Sequence, residues 1–250
     1  MKSICFLAQF PPPMHGLSKA VETLYNSRLN GKYKLSKIDI TDNKRILRSL
    51  AALMRCQSDV VYFTPSQTRG GNLRDLVFLK LIQWQGKKCI VHIHGGYYRH
   101  LVDNDLPGWQ RKMNYRAIGR LAGGIVLGHS LHGIFEGMLP DNRIFVCPNC
   151  VDDAYIAPSI DEKMEELKRN GVLHVLYLSN FIASKGYREV LEMARMASDK
   201  GDGDKFVFHF AGKFFDPREE EYFNEVSKGL GNVVYHGIVG GKDKADLLSI

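Results

Sequence analysis

Apolar positions in this chain gather into short continuous runs, separated by longer stretches in which they recur at helical spacing. Residues 3–9, 34–40, 59–64, 88–94, 124–127 and 143–146 read as strands. Most are apolar throughout, as expected for strands covered on both faces. Between them, helical periodicity predicts helices from Ser18 (Ala20, Val21, Leu24, Tyr25), over 43–55, 72–85 and 109–121, and from Ser130. Ser18 is the expected N-cap of the first helix, and Ser130 is expected to cap the helix that follows it. Pro11–Pro13 exclude helix and sheet interior from the loop after the first strand. Residues 148–158 break the alternation and predict a linker. A second alternation follows, with strands at 172–178, 205–211 and 232–235 and helices at 185–198, 218–228 and 241–249. Strand–helix alternation at this spacing predicts an α/β chain of two Rossmann-like units with doubly wound parallel sheets. The expected domains are 1–155 and 156–250. The second has three strands, fewer than a doubly wound domain needs, so it is expected to be incomplete in this chain.

Composition changes the picture little, and charge more. No apolar run approaches the roughly 20 residues of a membrane span, and residues 1–8 read as a core strand rather than a signal peptide. The 5 cysteines are odd in number and mostly in apolar strand contexts, which points to reduced thiols in a cytoplasmic protein. Residues 1–150 carry 21 Lys+Arg against 9 Asp+Glu, or +12; residues 151–250 carry 13 against 18, or −5. A basic first half fits an anionic partner: membrane lipid, a phosphate-bearing acceptor or nucleic acid. The half contains no recognition helix, zinc-finger spacing or aromatic-rich sheet motif, so nucleic acid is not expected.

Three places carry candidate chemistry. A strand, a short polar loop and a helix opening near Ser184 place backbone N–H groups at the helix N-terminus, which suits an anion. Lys185 adds a mobile charge there, and Gly186 allows close approach to the backbone. The proline-rich loop leading through Gly16 onto a helix is a second phosphate-facing candidate, although it does not match G-x-G-x-x-G. His92 and His94 alternate on one strand and share a face. His94, with Gly95, lies nearer the carboxyl edge where ligands of such sheets bind, so His94 is the candidate substrate contact and His92 the structural one. No third ligand of suitable spacing supports a metal. Cys147-Pro-Asn-Cys150 ends a strand rather than opening a helix, which argues against a redox pair. Ser130 lacks a G-x-S-x-G elbow.

Taken together, these segments resemble the retaining glycosyltransferases of the GT-B fold, family 4. The resemblance spans essentially the whole chain. It rests on Pro11-Pro-Pro-Met-His-Gly16, His92-Ile-His-Gly95, Leu127-Gly-His-Ser130, Val146-Cys-Pro-Asn-Cys-Val-Asp152, Leu178-Ser-Asn-Phe-Ile-Ala-Ser-Lys-Gly186, Phe208-His-Phe-Ala-Gly212 and Val234-Tyr-His-Gly-Ile-Val239, in the family's order. It implies a nucleotide-sugar donor, UDP-sugar by family frequency, bound between the domains and mostly on the second. It further implies a lipid-linked or polysaccharide acceptor on the first domain, and no metal or other cofactor. Lys185 would pair with the donor diphosphate and Gly16 would approach the same phosphates. His94, beside Gly95, would contact the transferred sugar. Asn180, Gly186 and Gly212 complete the implied donor site, and the turn Gly237, Ile238, Val239 would sit against the base. Ser179-Asn180 stand where the family commonly has Gly-Arg, which leaves the diphosphate to lean more on Lys185. Asn149-Cys150 replace the usual Asn-Gly. The family's two glutamates spaced eight apart would fall beyond Ile250. Arg45, Arg48 and Arg55 on one helix and Arg111 and Arg116 on another are expected to face an acceptor or an anionic leaflet, making the protein peripheral at the inner face of the plasma membrane. The alternatives are a non-catalytic binding or partner subunit on the same fold, and a GT-B epimerase or phosphorylase.

Overall fold

The computed structural model describes residues 1–151, 155–156 and 160–249. The chain divides into two compact units, Met1–Cys150 and Val151–Ile250. Part of the expected linker, including Asp152 of its motif, lies outside the described residues.

In the first unit the elements run β1 (Ser3–Ala8), α1 (Gly16–Tyr25), α2 (Leu29–Lys32), β2 (Lys34–Asp39), α3 (Ile46–Arg55), β3 (Val60–Phe63), α4 (Arg69–Trp84), β4 (Lys88–His92), α5 (Tyr98–His100), α6 (Gly108–Gly119), β5 (Gly123–Val126) and β6 (Ile144–Val146). The strands form one sheet in the order β2-β1-β3-β4-β5-β6 with every neighbour parallel. The chain leaves β1 for β2 and returns to β3, so the strand order reverses between β1 and β3. Right-handed crossovers then put α1 on one face and α3, α4 and α6 on the other. The two cores reflect this. Leu7, Val61, Phe63 and Val91 pack with Leu53 of α3, Phe78 of α4 and Ile118 of α6, while Phe6, Ala8 and Tyr62 pack with Val21 of α1. In the inner strands β1 and β3 alternate residues serve opposite cores, which is why these two read as unbroken apolar runs.

Two helix starts differ from expectation. α1 opens at Gly16, not after Ser18. His15 is its N-cap, its Nδ1 accepting from the Ser18 N–H at 3.3 Å while the Ser18 hydroxyl accepts from the His15 N–H at 3.0 Å. Histidine is not a common cap, and Ser18 instead closes the box from its third position and is fully buried. Ser130 lies inside a 3₁₀ helix, His129–Phe135, whose N-cap is Gly128, and it makes no capping bond. The basic helix expected over 43–55 is split into a 3₁₀ turn, Asn43–Arg45, and α3.

The second unit comprises α7 (Ile160–Asn170), β7 (Leu173–Leu178), α8 (Tyr187–Asp199), β8 (Phe206–Ala211), α9 (Pro217–Ser227), β9 (Val233–Tyr235) and α10 (Gly241–Leu248). Its parallel sheet has the order β7-β8-β9 among the described residues. Tyr177, Phe208 and Phe210 pack from the sheet against Tyr187, Leu191 and Ala194 of α8 and Phe223 of α9. Each such side chain contributes about 1.5–3 kcal/mol on burial. Asp216 caps α9, with Pro217 at the first helical position, as the rigid φ of proline favours.

Candidate functional site

In the first unit the candidate residues gather at the carboxyl edge of the sheet. Gly16 is the first residue of α1 and exposed; a Cβ built there would meet nothing within 4 Å. A crevice outside the reversal point of an open α/β sheet is where such folds take ligands, and Gly16 stands beside it. His94 follows β4 at the same edge and is partly buried. Its ring lies 3.9 Å, centroid to centroid, from that of His92, which is 4% exposed. Between them Tyr62, on β3, brings its hydroxyl 2.8 Å from His92 Nδ1 and 3.2 Å from His94 Nε2. The other two ring nitrogens, His92 Nε2 and His94 Nδ1, are buried and meet no hydrogen-bond partner among the described residues. Burial holds both imidazoles neutral, lowering His94 to about 4 and, with the neighbouring ring's charge adding to it, His92 to about 3. Gly95 has a local role as well: a Cβ there would lie 2.6 Å from Gln67 Nε2, and Gln67 Oε1 accepts from the Tyr97 N–H at 2.9 Å, joining the loops after β3 and β4.

In the second unit three loops meet at one edge of the sheet. The Ser179 N–H donates to Ala211 O at 3.1 Å, the Phe181 N–H to Lys213 O at 3.0 Å, and the Gly212 N–H to Gly237 O at 2.8 Å. These bonds bring Asn180, Gly212 and Gly237 together. A Cβ on Gly212 would lie 1.9 Å from Ser179 O, so only glycine fits. Lys185 ends a 3₁₀ turn, Ala183–Lys185, and Gly186 follows in the left-handed region at φ 80° as the N-cap of α8. Gly186 is therefore dictated by the backbone conformation that starts the helix. Lys185 is exposed and, among the described residues, forms no ion pair. The turn is held from beneath by aromatic packing: Phe181 stacks on Phe214 at 4.0 Å and contacts Tyr187 at 5.2 Å. Ile238 is 73% exposed beyond Gly237, and Val239 is half-buried. The edge thus presents a cation, the first-turn N–H groups of α8 and an exposed apolar side chain. It can bind an anion with an attached apolar or aromatic group. Glu189 in the first turn of α8 opposes part of that charge.

The five arginines divide differently from expectation. Arg45 lies in the 3₁₀ turn and pairs with Asp42 at 3.3 Å, and Arg111 pairs with Asp103 at 3.0 Å. Arg48, Arg55 and Arg116 are exposed and form no ion pair among the described residues. Arg48 and Arg55 lie on α3 and Arg116 on α6, both packed beside α4 in one layer. On α6, Gly108, Arg111, Lys112, Tyr115 and Arg116 line an open depression of about 430 Å³. The same layer exposes Leu47, Met54, Val77, Trp84 (80%), Trp109 and Met113. Its three helices carry a single carboxylate, Asp75, which is buried against Arg74 at 2.8 Å.

Three participants escaped the sequence reading. Tyr62 sits in an apolar strand and reads as core. His92 reads as structural, yet stacks directly on His94. Lys213 follows Gly212 at the carboxyl end of β8 and is exposed at the same edge as Lys185. Its position one residue past a strand-ending glycine was the available signal.

The sequence matches no family model, and no curated protein matches it. Its similarity to solved structures extends over nearly all of its length. HepE of Anabaena, in complex with UDP and glucose, superposes with a TM-score of 0.60 at 13% identity, covering 100% of this chain and 72% of that one. The α,α-trehalose 6-phosphate synthase of Burkholderia multivorans gives 0.59 at 10% identity, covering 98% and 74%. MnaA of S. aureus, in complex with UDP, gives 0.57 at 10% identity, covering 100% and 71%. The fold is GT-B, as the motifs implied.

Proposed function

We propose that this chain binds a nucleoside-diphosphate sugar, a UDP-sugar in the first instance, and transfers the sugar with retention to a lipid-linked or polysaccharide acceptor. The observation that carries this reading is the edge of the second unit, where Lys185, the opening of α8, Asn180, Gly212 and Gly237 converge. Structures of the same fold that hold UDP, among them the HepE complex, support the choice of donor. Lys185 and the α8 N–H groups face the diphosphate, Asn180 adds a hydrogen bond without charge, and Ile238 and Val239 give the base an apolar platform. In the first unit, Gly16 leaves the start of α1 open to a phosphate. His94 contacts the sugar.

In the transfer, the bond from the anomeric carbon to the diphosphate oxygen breaks and a bond to the acceptor oxygen forms on the same face. The acceptor proton passes to the departing phosphate. The chain's contribution is electrostatic: fixed donors and Lys185 stabilise charge that develops on the leaving group. The reaction needs no resident cofactor, because protein groups meet the diphosphate charge. Turnover is therefore expected to survive exhaustive chelation, and activity lost with EDTA and restored by a divalent ion would refute that part. The reading as a whole is tested by following sugar release from UDP-glucose and other UDP-sugars, with and without lipid-phosphate acceptors. Binding of a UDP-sugar without any turnover would favour a binding subunit.

The first unit we assign to the acceptor, and its α3–α4–α6 layer to the inner leaflet of the plasma membrane. Exposed tryptophans and unpaired cations with no exposed carboxylate on these helices suit an anionic interface. Flotation with vesicles containing phosphatidylglycerol is expected to recover the protein, and neutral vesicles are not. Each of Arg48→Glu, Arg55→Glu and Arg116→Glu should weaken recovery, at about 1 kcal/mol per lost cation. Equal recovery on neutral vesicles would remove the membrane assignment.

A further inference from the structure

The cluster of Tyr62, His92 and His94 imposes a proton count with few solutions. A phenol has one proton to donate, and each neutral imidazole has one N–H and one bare nitrogen. The Tyr62 hydroxyl faces His92 Nδ1 at 2.8 Å and His94 Nε2 at 3.2 Å. Both contacts are hydrogen bonds only if the phenol donates to one ring and accepts from the other. If it donates to His92 Nδ1, the proton of His92 is on Nε2, and His94 must donate from its own Nε2. If it donates to His94 Nε2, both rings carry their proton on Nδ1. Either way the two histidines share one tautomer. The two remaining nitrogens, His92 Nε2 and His94 Nδ1, are then always one donor and one acceptor. Both are buried without a partner among the described residues, and a buried polar atom left unmatched costs about 1–3 kcal/mol. Bond lengths choose between the two states. Hydroxyl donors make the shorter bonds and ring N–H donors the longer ones, so the phenol proton belongs to the 2.8 Å contact. Neutral rings, which the count requires, follow from the burial of both histidines.

We propose that Tyr62 is a positioning residue that locks His92 and His94 into a common Nε2–H tautomer, so that the pair presents a bare His94 Nδ1 and a His92 Nε2–H to a hydroxyl of the bound ligand. A hydroxyl both donates and accepts, and so matches the pair. That the hydroxyl belongs to a sugar rests on the transferase reading; the tautomer coupling does not. The test is ¹⁵N NMR of the histidine-labelled protein at neutral pH, first without ligand. Wild type is expected to show a protonated Nε2 and a bare Nδ1 on both residues. One ring of each tautomer, or Nδ1–H on both, overturns the inference, and this result needs no variant to fold. Tyr62→Phe is expected to release the constraint and give His94 a mixture of tautomers, whereas an unchanged His94 overturns the role of Tyr62. UDP-glucose is then added, with binding followed independently by calorimetry. A shift of His94 Nδ1 toward the hydrogen-bonded position supports the ligand contact. Binding without that shift overturns the contact. Absence of binding overturns the donor assignment and the sugar contact with it, and leaves the coupling to be judged on the ligand-free spectrum.

Discussion

Replacing Lys185 by alanine is expected to weaken UDP binding by about ten- to a hundredfold while leaving the fold intact. The size follows from the worth of a charge-assisted hydrogen bond, about 1.5–3 kcal/mol. Preservation of the fold follows from position. Lys185 is exposed and forms no ion pair among the described residues, and the turn that carries it is set by Gly186 at φ 80° and by Phe181 packed on Phe214. The residual affinity should come from the N–H groups at the start of α8, from Asn180 and from Lys213. Titration calorimetry with UDP, beside a thermal melt of each protein, separates the two effects. An unchanged Kd with an unchanged melt would mean that this lysine does not meet the diphosphate. Uridine provides the internal control: it lacks the phosphates, so its weaker binding should be indifferent to the substitution.

Gly212→Ala is expected to act through the backbone and to cost more stability than any surface change at this edge. The new methyl would lie 1.9 Å from Ser179 O and 3.3 Å from Asn180 Cα. The obstacle is main chain rather than the end of a flexible side chain, so relief requires the loops after β7 and β8 to separate. Overpacking of this kind costs about 1–3 kcal/mol and occasionally more. Separation would also strain the bonds from Ser179 N to Ala211 O and from Phe181 N to Lys213 O, and it would displace Asn180. The expected result is a lower urea midpoint for the second unit together with loss of UDP binding. By contrast, Gly231→Ala, where a Cβ meets nothing within 4 Å and φ is not positive, should leave both within error. If Gly212→Ala bound UDP with wild-type affinity and stability, the close approach of the two loops would be disproved.

How much of this was legible beforehand depends on the range of the interaction. The strands of both units fall where continuous apolar runs placed them, and α8 and α9 fall where helical spacing placed them, because those signals come from neighbours within a turn or two of the chain. Lys185-Gly186 was identifiable for the same reason: a cation and a glycine between a strand and a helix form a local pattern with a local meaning. The start of α1 failed at this level only because histidine took the cap and serine the third position of the same box. The arginines read as one group, but Asp42 and Asp103 withdraw two of them, and which arginine a carboxylate reaches depends on how the intervening turns fold.

The candidate site was decided at longer range. Tyr62 and His92 are 30 residues apart, and nothing in either strand's sequence announces that β3 and β4 will be neighbours in a register that aims a phenol between two imidazoles. Gly212 gave no sign that it lies under Ser179, since that contact exists only once β7 and β8 have paired. What the sequence determined by itself was therefore the order of the strands and of most helices between them, the basic character of the first half and the lysine–glycine turn, while α2 and α7 went unread. Tertiary structure alone decided which buried polar groups meet, which charges remain unpaired and where the backbone admits no Cβ. Apolar periodicity encodes which face a residue takes; partner identity depends on strand order and register, which are properties of the whole sheet.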